Sequence, residues 1–168
     1  MMPWRAAALF FFVVLADQGS KILALAQLDP NPDGIAVRII RGAFYLKLAT
    51  NPGGMWGLFS SLPPAVFLAA TAAVVAWLLL LIWRLDPAER AYRIPLLLLL
   101  GGFLGNGLDR IRLGHVVDIF YVPRRTLVLL STFNVADLAI LTGLIWIFAL
   151  WAVRSFRARR ETSRGAGG

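Results

Sequence analysis

The chain has 168 residues, of which 59% are hydrophobic and only 15% are charged, and its mean hydropathy is +0.73. This length fits one domain, and this composition excludes an ordinary soluble protein and indicates an integral membrane protein. Cysteine is absent and His115 is the one histidine, which excludes thiol nucleophiles and leaves too few ligands for a common metal site. The net charge of +8 comes without a basic module interleaved with aromatic residues, so nucleic acid is not an expected partner.

The first apolar segment, residues 6–28, is long enough to span a membrane. Arg5 and the Ala24-Leu25-Ala26 sequence also imitate a signal peptide. Asp17 and Lys21 would interrupt such a peptide before its cleavage site, so we interpret the segment as a retained transmembrane helix. These two side chains are four residues apart and can pair on one helix face, either as a self-neutralised pair near the membrane surface or as support for a site.

Residues 29–63 depart from the helical pattern and predict a small external platform. Residues 29–34 are dense in turn formers, and residues 37–48 alternate as short strands would. The Asn51-Pro52-Gly53 sequence is a second turn. Four apolar residues then follow, in a region where interfacial aromatic side chains are favoured: Met55, Trp56, Leu58 and Phe59.

Two further spans are predicted at residues 65–83 and 94–113, joined by a charged loop at residues 84–93. The third span ends in a stretch that turns from glycine-rich to charged. Gly102, Asn106 and Arg110 recur every four residues there and share one helix face. Ionisable groups at membrane depth are costly, so this face marks a candidate functional site.

The C-terminal third begins with Asp118 and an apolar segment, residues 119–132, that is interrupted by Pro123, Arg124 and Arg125. We expect this segment to be a surface-lying loop. A fourth span follows at residues 134–153, and the basic, glycine-rich residues 154–168 are expected to form a disordered tail.

Four spans place both termini on one side of the membrane. The basic tail and the short basic loop assign that side to the cytoplasm, where the tail fixes orientation against anionic lipid headgroups. Residues 29–63 and 114–133 are then external. The polar residues of interest gather at that external face: Asp17, Asn51, Asn106, Asp118 and Asp137.

Five motifs together resemble those of the lipoprotein signal peptidase (signal peptidase II) family. In order, they are DQGSK at residues 17–21, NPG at residues 51–53, GGFLGNGLDR at residues 101–110, VVD at residues 116–118 and FNVAD at residues 133–137. The resemblance covers nearly the whole chain except the termini and the second span. It implies an all-α integral membrane fold of four transmembrane helices with a small external β-rich platform, in agreement with the pattern of segments.

The resemblance implies a membrane aspartic endopeptidase that cleaves the signal peptide from diacylglyceryl-modified prolipoproteins in the bacterial inner membrane. Its partners would be the lipidated substrate and the bilayer, with no cofactor and no metal, and we expect a monomer. The catalytic pair would be Asp118 and Asp137. The substrate-binding and supporting residues would be Asn51, Gly53, Gly102, Asn106, Arg110, Asn134, Asp17 and Lys21.

This chemistry suits the residue types, because two close carboxylates can share a proton and serve as base and acid, while Asn side chains or Arg110 stabilise an oxyanion. One alternative pair is Asp109 with Asp137, although Asp109 could equally form an ion pair with Arg110 or Arg112. The competing class of protein is a small transporter or lipid-binding scaffold. Such a protein needs a polar site near the membrane midplane, whereas a surface peptidase needs both carboxylates at one interface.

Overall fold

Four long helices and a small antiparallel sheet form the described part of the chain, which is residues 4–28, 37–52, 62–123 and 132–165 of a computed structural model. The helices are α1 (Trp4–Gln27), α2 (Pro64–Arg84), α3 (Arg93–Leu113) and α4 (Val135–Gly165). The strands are β1 (Val37–Ile40), β2 (Phe44–Asn51), β3 (Val116–Tyr121) and β4 (Thr132–Phe133). Each helix is long and apolar enough to cross a membrane. The predicted fold class is therefore confirmed.

Helix α3 is the centre of the bundle and packs against the other three helices. Four of its leucines form the main apolar core with Ala6 of α1 and Leu78 of α2: Leu96, Leu97, Leu99 and Leu100. The outer helices instead expose large apolar side chains such as Phe12, Leu79 and Phe148. In a bilayer these exposed side chains contact lipid, so the fold needs only one buried helix.

Glycines on α3 allow its neighbours to approach closely. A Cβ atom at Gly105 would lie 2.5 Å from Oδ2 of Asp17 on α1, and one at Gly102 would lie 2.5 Å from the carbonyl oxygen of Ala136 on α4. Real Cβ atoms do not make contacts this short. The absence of a side chain at these two positions therefore lets α1 at Asp17 and α4 at Ala136 approach α3 closely.

The sheet has the order β1-β2-β3-β4 with every pair antiparallel. Ala49 of β2 lies opposite Asp118 of β3. Val117 and Ile119 pack with Ala24 and Leu48, which fastens the sheet to the end of α1. Since side chains alternate along a strand, Asp118 points to the other face of β3.

Two expectations for the C-terminal third are wrong where the structure describes those residues. The segment 119–132 is not simply a surface-lying loop, because residues 119–121 belong to β3 and Thr132 begins β4. Helix α4 also continues to Gly165, so residues 154–165 are not a disordered tail. Alanine, arginine and glutamate favour helix, and the membrane span already supplies the helical nucleus.

Several sequence expectations concern residues outside the described ranges. These are the turn at residues 29–34, Gly53, the apolar residues 55–59, and the two arginines at positions 124 and 125.

Candidate active site

Buried polar side chains meet where the second halves of α1 and α3, the start of α4, and β3 come together. Six of them are at most 8% exposed: Asp17, Lys21, Asn106, Asp109, Asp118 and Asn134. Such a concentration of buried polar groups is stable only when hydrogen bonds or ion pairs satisfy them.

Asp118 is fully buried and is surrounded by hydrogen-bond donors. Its Oδ1 accepts from Nδ2 of Asn134 at 2.9 Å, and its Oδ2 accepts from Oγ1 of Thr132 at 3.2 Å and from Nδ2 of Asn51 at 3.4 Å. Burial and then the nearby charge of Asp137 raise the pKa of Asp118 to about 6. A carboxyl in this setting can hold a proton close to neutral pH.

Asp137 lies in the first turn of α4 and forms a capping box with Asn134. Its Oδ2 accepts from the backbone nitrogen of Asn134 at 3.2 Å, and Oδ1 of Asn134 accepts from the backbone nitrogen of Asp137 at 2.9 Å. Its Oδ1 accepts from Nδ2 of Asn106 at 2.8 Å. The helix start therefore fixes the position of this carboxylate.

Asn134 connects the two carboxylates. While its Oδ1 caps α4, its Nδ2 donates toward Asp118, toward Oδ1 of Asn106 at 3.1 Å and toward the carbonyl oxygen of Val117 at 3.2 Å. Asn106 in turn donates to Asp137. Asp118 and Asp137 consequently belong to one hydrogen-bond network carried by two amide side chains.

A buried lysine supports this network from α1. The Nζ atom of Lys21 lies 2.8 Å from Oδ2 of Asp17, 2.7 Å from Oδ2 of Asp109 and 3.0 Å from Oδ1 of Asn106. Asp17 and Lys21 are thus not a self-neutralised pair at the membrane surface. Among the described residues, Asp109 forms its ion pair with Lys21 rather than with Arg110 or Arg112.

The supporting carboxylates hold the backbone next to the candidate catalytic residues. Oδ2 of Asp109 accepts from the backbone nitrogen of Val117 at 3.1 Å. Oδ1 of Asp17 accepts from the backbone nitrogen of Ala136 at 2.9 Å. Each bond restrains the residue that immediately precedes one of the two aspartates.

Arg110 lies beside the network without bonding to either candidate carboxylate. Its guanidinium stacks 5.3 Å from the ring centroid of Phe67 on α2, and its Nη1 donates to the carbonyl oxygen of Asn106 at 3.3 Å. Within the described ranges its buried Nε has no hydrogen-bond partner. This leaves a donor available near the site.

Two site residues were not singled out from the sequence. Gln18 donates to Asp17, to the carbonyl oxygen of Gly105 and to Oδ1 of Asp109 at 3.0 to 3.1 Å. Thr132 donates to Asp118. The sequence offers a signal for Gln18, because a polar side chain inside an apolar span needs a buried partner. It offers none for Thr132, whose contact with Asp118 depends on strand pairing.

The fold is that of a multi-pass membrane protein with a buried polar site. Two solved structures described as bacterial membrane enzymes share this fold, with TM-scores of 0.82 and 0.76 and 22% sequence identity. They cover 92% and 89% of this chain, and the alignments include 91% and 94% of those chains.

Sequence relatives give the family. The lipoprotein signal peptidase of Anoxybacillus flavithermus is 33% identical over 98% of this chain and 97% of its own. The lipoprotein signal peptidase of Moorella thermoacetica is 37% identical over 86% of this chain and 89% of its own. The signal peptidase (SPase) II family pattern matches residues 9–153. The chain belongs to the signal peptidase II family and is a membrane protease.

Proposed function

We propose that this protein cleaves the signal peptide from diacylglyceryl-modified prolipoproteins and uses Asp118 and Asp137 to activate water. The relatives are named lipoprotein signal peptidases, which supports the substrate class. The observation that carries the mechanism is the position of Asn134, whose side chain donates to Asp118 while it caps the turn that holds Asp137.

The chemistry follows from one proton shared by two carboxylates. Two neighbouring aspartates cannot both ionise cheaply, so one retains a proton while the other is charged. The charged carboxylate removes a proton from water as the water attacks the peptide carbonyl carbon. The protonated carboxyl then donates to the leaving amine. The amide donors around the pair, together with the unpaired Nε of Arg110, are suited to stabilise the oxyanion.

The alternative pair of Asp109 and Asp137 is less favoured. Both oxygens of Asp109 are already engaged, Oδ2 by Lys21 and Val117 and Oδ1 by Gln18. Among the described residues, Asp118 and Asp137 have no ion-pair partner, whereas Asp109 is held by the ammonium group of Lys21. We therefore assign Asp109 a supporting role.

We place the site at the external face of the bacterial inner membrane, with both termini in the cytoplasm. The two candidate carboxylates lie at one end of the bundle beside the sheet, and not midway along the helices. This position favours a peptidase at the membrane surface over a transporter. Water reaches the site from outside, while the signal helix of the substrate stays in lipid.

Cleavage of a diacylated prolipoprotein by the purified protein tests this proposal. Asp118→Asn and Asp137→Asn should each reduce kcat by about 10³-fold or more, because each change removes a proton site. The double variant should lose little more, since residues that act as a unit are non-additive. Asp86→Asn, which changes an exposed aspartate at the other end of the bundle, should retain normal activity.

Two outcomes would contradict the proposal. Equal cleavage rates for lipidated and unlipidated precursor would exclude the proposed substrate class. Near-normal turnover by Asp118→Asn, together with a folded but inactive Asp109→Asn, would move the catalytic role to Asp109.

A further inference from the structure

An apolar cavity lies at the end of the bundle opposite to the candidate active site. Its volume is about 460 Å³, and its walls come from the last part of α2, the start of α3 and the middle of α4. Leu78, Leu96 and Leu99 form part of its inner wall. Trp77 on α2 and Leu144 on α4 also line it and are 57% and 52% exposed. The cavity therefore opens between α2 and α4 toward the surrounding lipid.

The outer end of this cavity is polar. Arg84, Glu89 and Tyr92 line it there. Glu89 is already paired, because its Oε1 lies 2.7 Å from Nη1 of Arg154. The guanidinium of Arg154 also stacks 5.3 Å from the ring centroid of Tyr92. Arg84 has no ion-pair partner among the described residues, so its charge is available to a ligand.

We propose that this cavity binds one acyl chain of an anionic glycerophospholipid from the cytoplasmic leaflet, with the lipid phosphate at Arg84. The volume lies within the range of about 300–1,000 Å³ that is usual for small-molecule pockets. The apolar walls match a hydrocarbon chain, and the uncompensated arginine matches a phosphate. Arg84 is the last residue of α2, at the depth where a lipid headgroup meets a span.

A signal helix is too large to be enclosed in this cavity. Ten residues of helix about 10 Å wide and 15 Å long occupy roughly 1,200 Å³, well above the volume of the cavity. Signal peptides also begin with a positively charged region. That region would lie near the cytoplasmic end of the bundle and would be repelled by Arg84.

The lipid site is separate from the proposed peptidase site. Asp137 and Arg154 are 17 residues apart on α4, which corresponds to about 25 Å along a helix. A chain bound between α2 and α4 fills the space beside α3 and stabilises the cytoplasmic end of the bundle. Binding of the lipid does not depend on the peptidase activity, but the leaflet named here rests on the membrane orientation given under the proposed function.

Mass spectrometry under non-denaturing conditions tests the proposal on the full chain released from neutral detergent. Phosphatidylglycerol and phosphatidylcholine with identical acyl chains serve as the two probes. We expect one tightly retained lipid and a Kd about fivefold lower for phosphatidylglycerol, the effect of one basic side chain near a membrane surface. Arg84→Gln should remove most of this preference. Arg90→Gln, six residues further along the chain and away from the cavity, should preserve it.

A cavity-filling variant tests the position of the acyl chain. Leu144→Trp should abolish tight retention of both lipids, and Ile147→Phe takes its place if that variant does not fold. Equal retention of the two lipids by the wild type, an equal effect of Arg84→Gln and Arg90→Gln, or unchanged binding by the filled variant would overturn the proposal. Displacement of phosphatidylglycerol by an unlipidated signal peptide would assign the cavity to the signal helix instead.

Discussion

At the scale of single residues, the ammonium group of Lys21 pairs with the two carboxylates that support the candidate active site. Lys21 pairs with Asp109, which binds the backbone nitrogen of Val117, and with Asp17, which binds the backbone nitrogen of Ala136. Val117 directly precedes Asp118 in the chain, and Ala136 directly precedes Asp137. Lys21 contacts neither aspartate, so we propose that it is a positioning residue.

Replacing this lysine should destabilise the protein strongly. Lys21→Met leaves two buried carboxylates without their counter-ion, and loss of one partner from a buried pair costs about 3–5 kcal/mol. Thermal unfolding in detergent should show a large decrease in Tm. Lys47→Met is the control, because Lys47 is only partly buried and contacts the ring of Tyr121. Equal Tm values for the two variants would show that the charge of Lys21 is not needed.

The raised pKa of Asp118 predicts a dependence of stability on pH. The pKa is 3.8 for the unconstrained carboxyl and about 6 in the folded protein. The folded state binds this proton more tightly, so the stabilisation is complete below pH 3.8 and is lost as the pH rises through about 6. The size of the effect is about 3 kcal/mol, at 1.36 kcal/mol per pKa unit.

Asp118→Asn provides the reference for this measurement, because it cannot titrate while the other groups remain. The Tm of the wild type relative to this variant should decrease from pH 4 to pH 7. An increase over this range would mean that the fold stabilises the charged form of Asp118.

At the scale of helices and strands, close contact between helices depends on positions without side chains. Gly105 of α3 faces the carboxylate of Asp17, whereas Gly19 of α1 has nothing within 4 Å of the place its Cβ would occupy. Two helical glycines of one chain therefore have opposite surroundings. Close packing requires glycine at position 105 but not at position 19.

These two glycines should respond differently to alanine. Gly105→Ala forces Asp17 out of the network and should cost about 1–3 kcal/mol through overpacking, with a loss of activity. Gly19→Ala should stabilise the protein by about 0.5–1 kcal/mol, because alanine favours helix. Unfolding measurements on both variants check this. A Gly105→Ala protein as stable as Gly19→Ala would show that α1 can shift away without cost.

The elements that the sequence predicted correctly are those with local signals. Hydropathy over some 20 residues marks a span, and the alternation in residues 37–48 marks two strands. The pairing of β3 with β2 has no local signal in the sequence, because it joins residues about 70 positions apart. The bond from Lys21 to Asp109 was missed for the same reason. Long-range partners depend on how helices pack, which periodicity does not encode.

At the scale of the whole molecule, the two ends of the bundle differ in chemistry. One end carries the sheet and the acidic network, while the other carries the loop near Arg84 and the extended end of α4. The 31 residues of α4 correspond to about 46 Å, against roughly 30 Å of hydrocarbon in a bilayer. Its basic final turns therefore extend beyond the hydrocarbon core.

This asymmetry predicts the orientation in the membrane. The basic end should face the cytoplasm, because positively charged segments next to a span are retained there. Reporter fusions at residue 168 should be active in the cytoplasm, and a reporter inserted at residue 45 should be active outside. A cytoplasmic signal from residue 45 would reverse the orientation and place the acidic network on the inner side.

The Asn106-Gly107 sequence has a consequence for how the protein ages. In a flexible peptide, asparagine followed by glycine deamidates readily, because the glycine nitrogen attacks the side-chain carbonyl carbon to form a succinimide. Helix α3 holds both residues in a backbone conformation that keeps these atoms apart, and the Asn106 amide is also bonded to Asp137. The folded helix therefore protects Asn106 from deamidation. Each local unfolding of α3 exposes this amide to a reaction that would leave an additional carboxylate beside Asp137 for the remaining lifetime of the molecule.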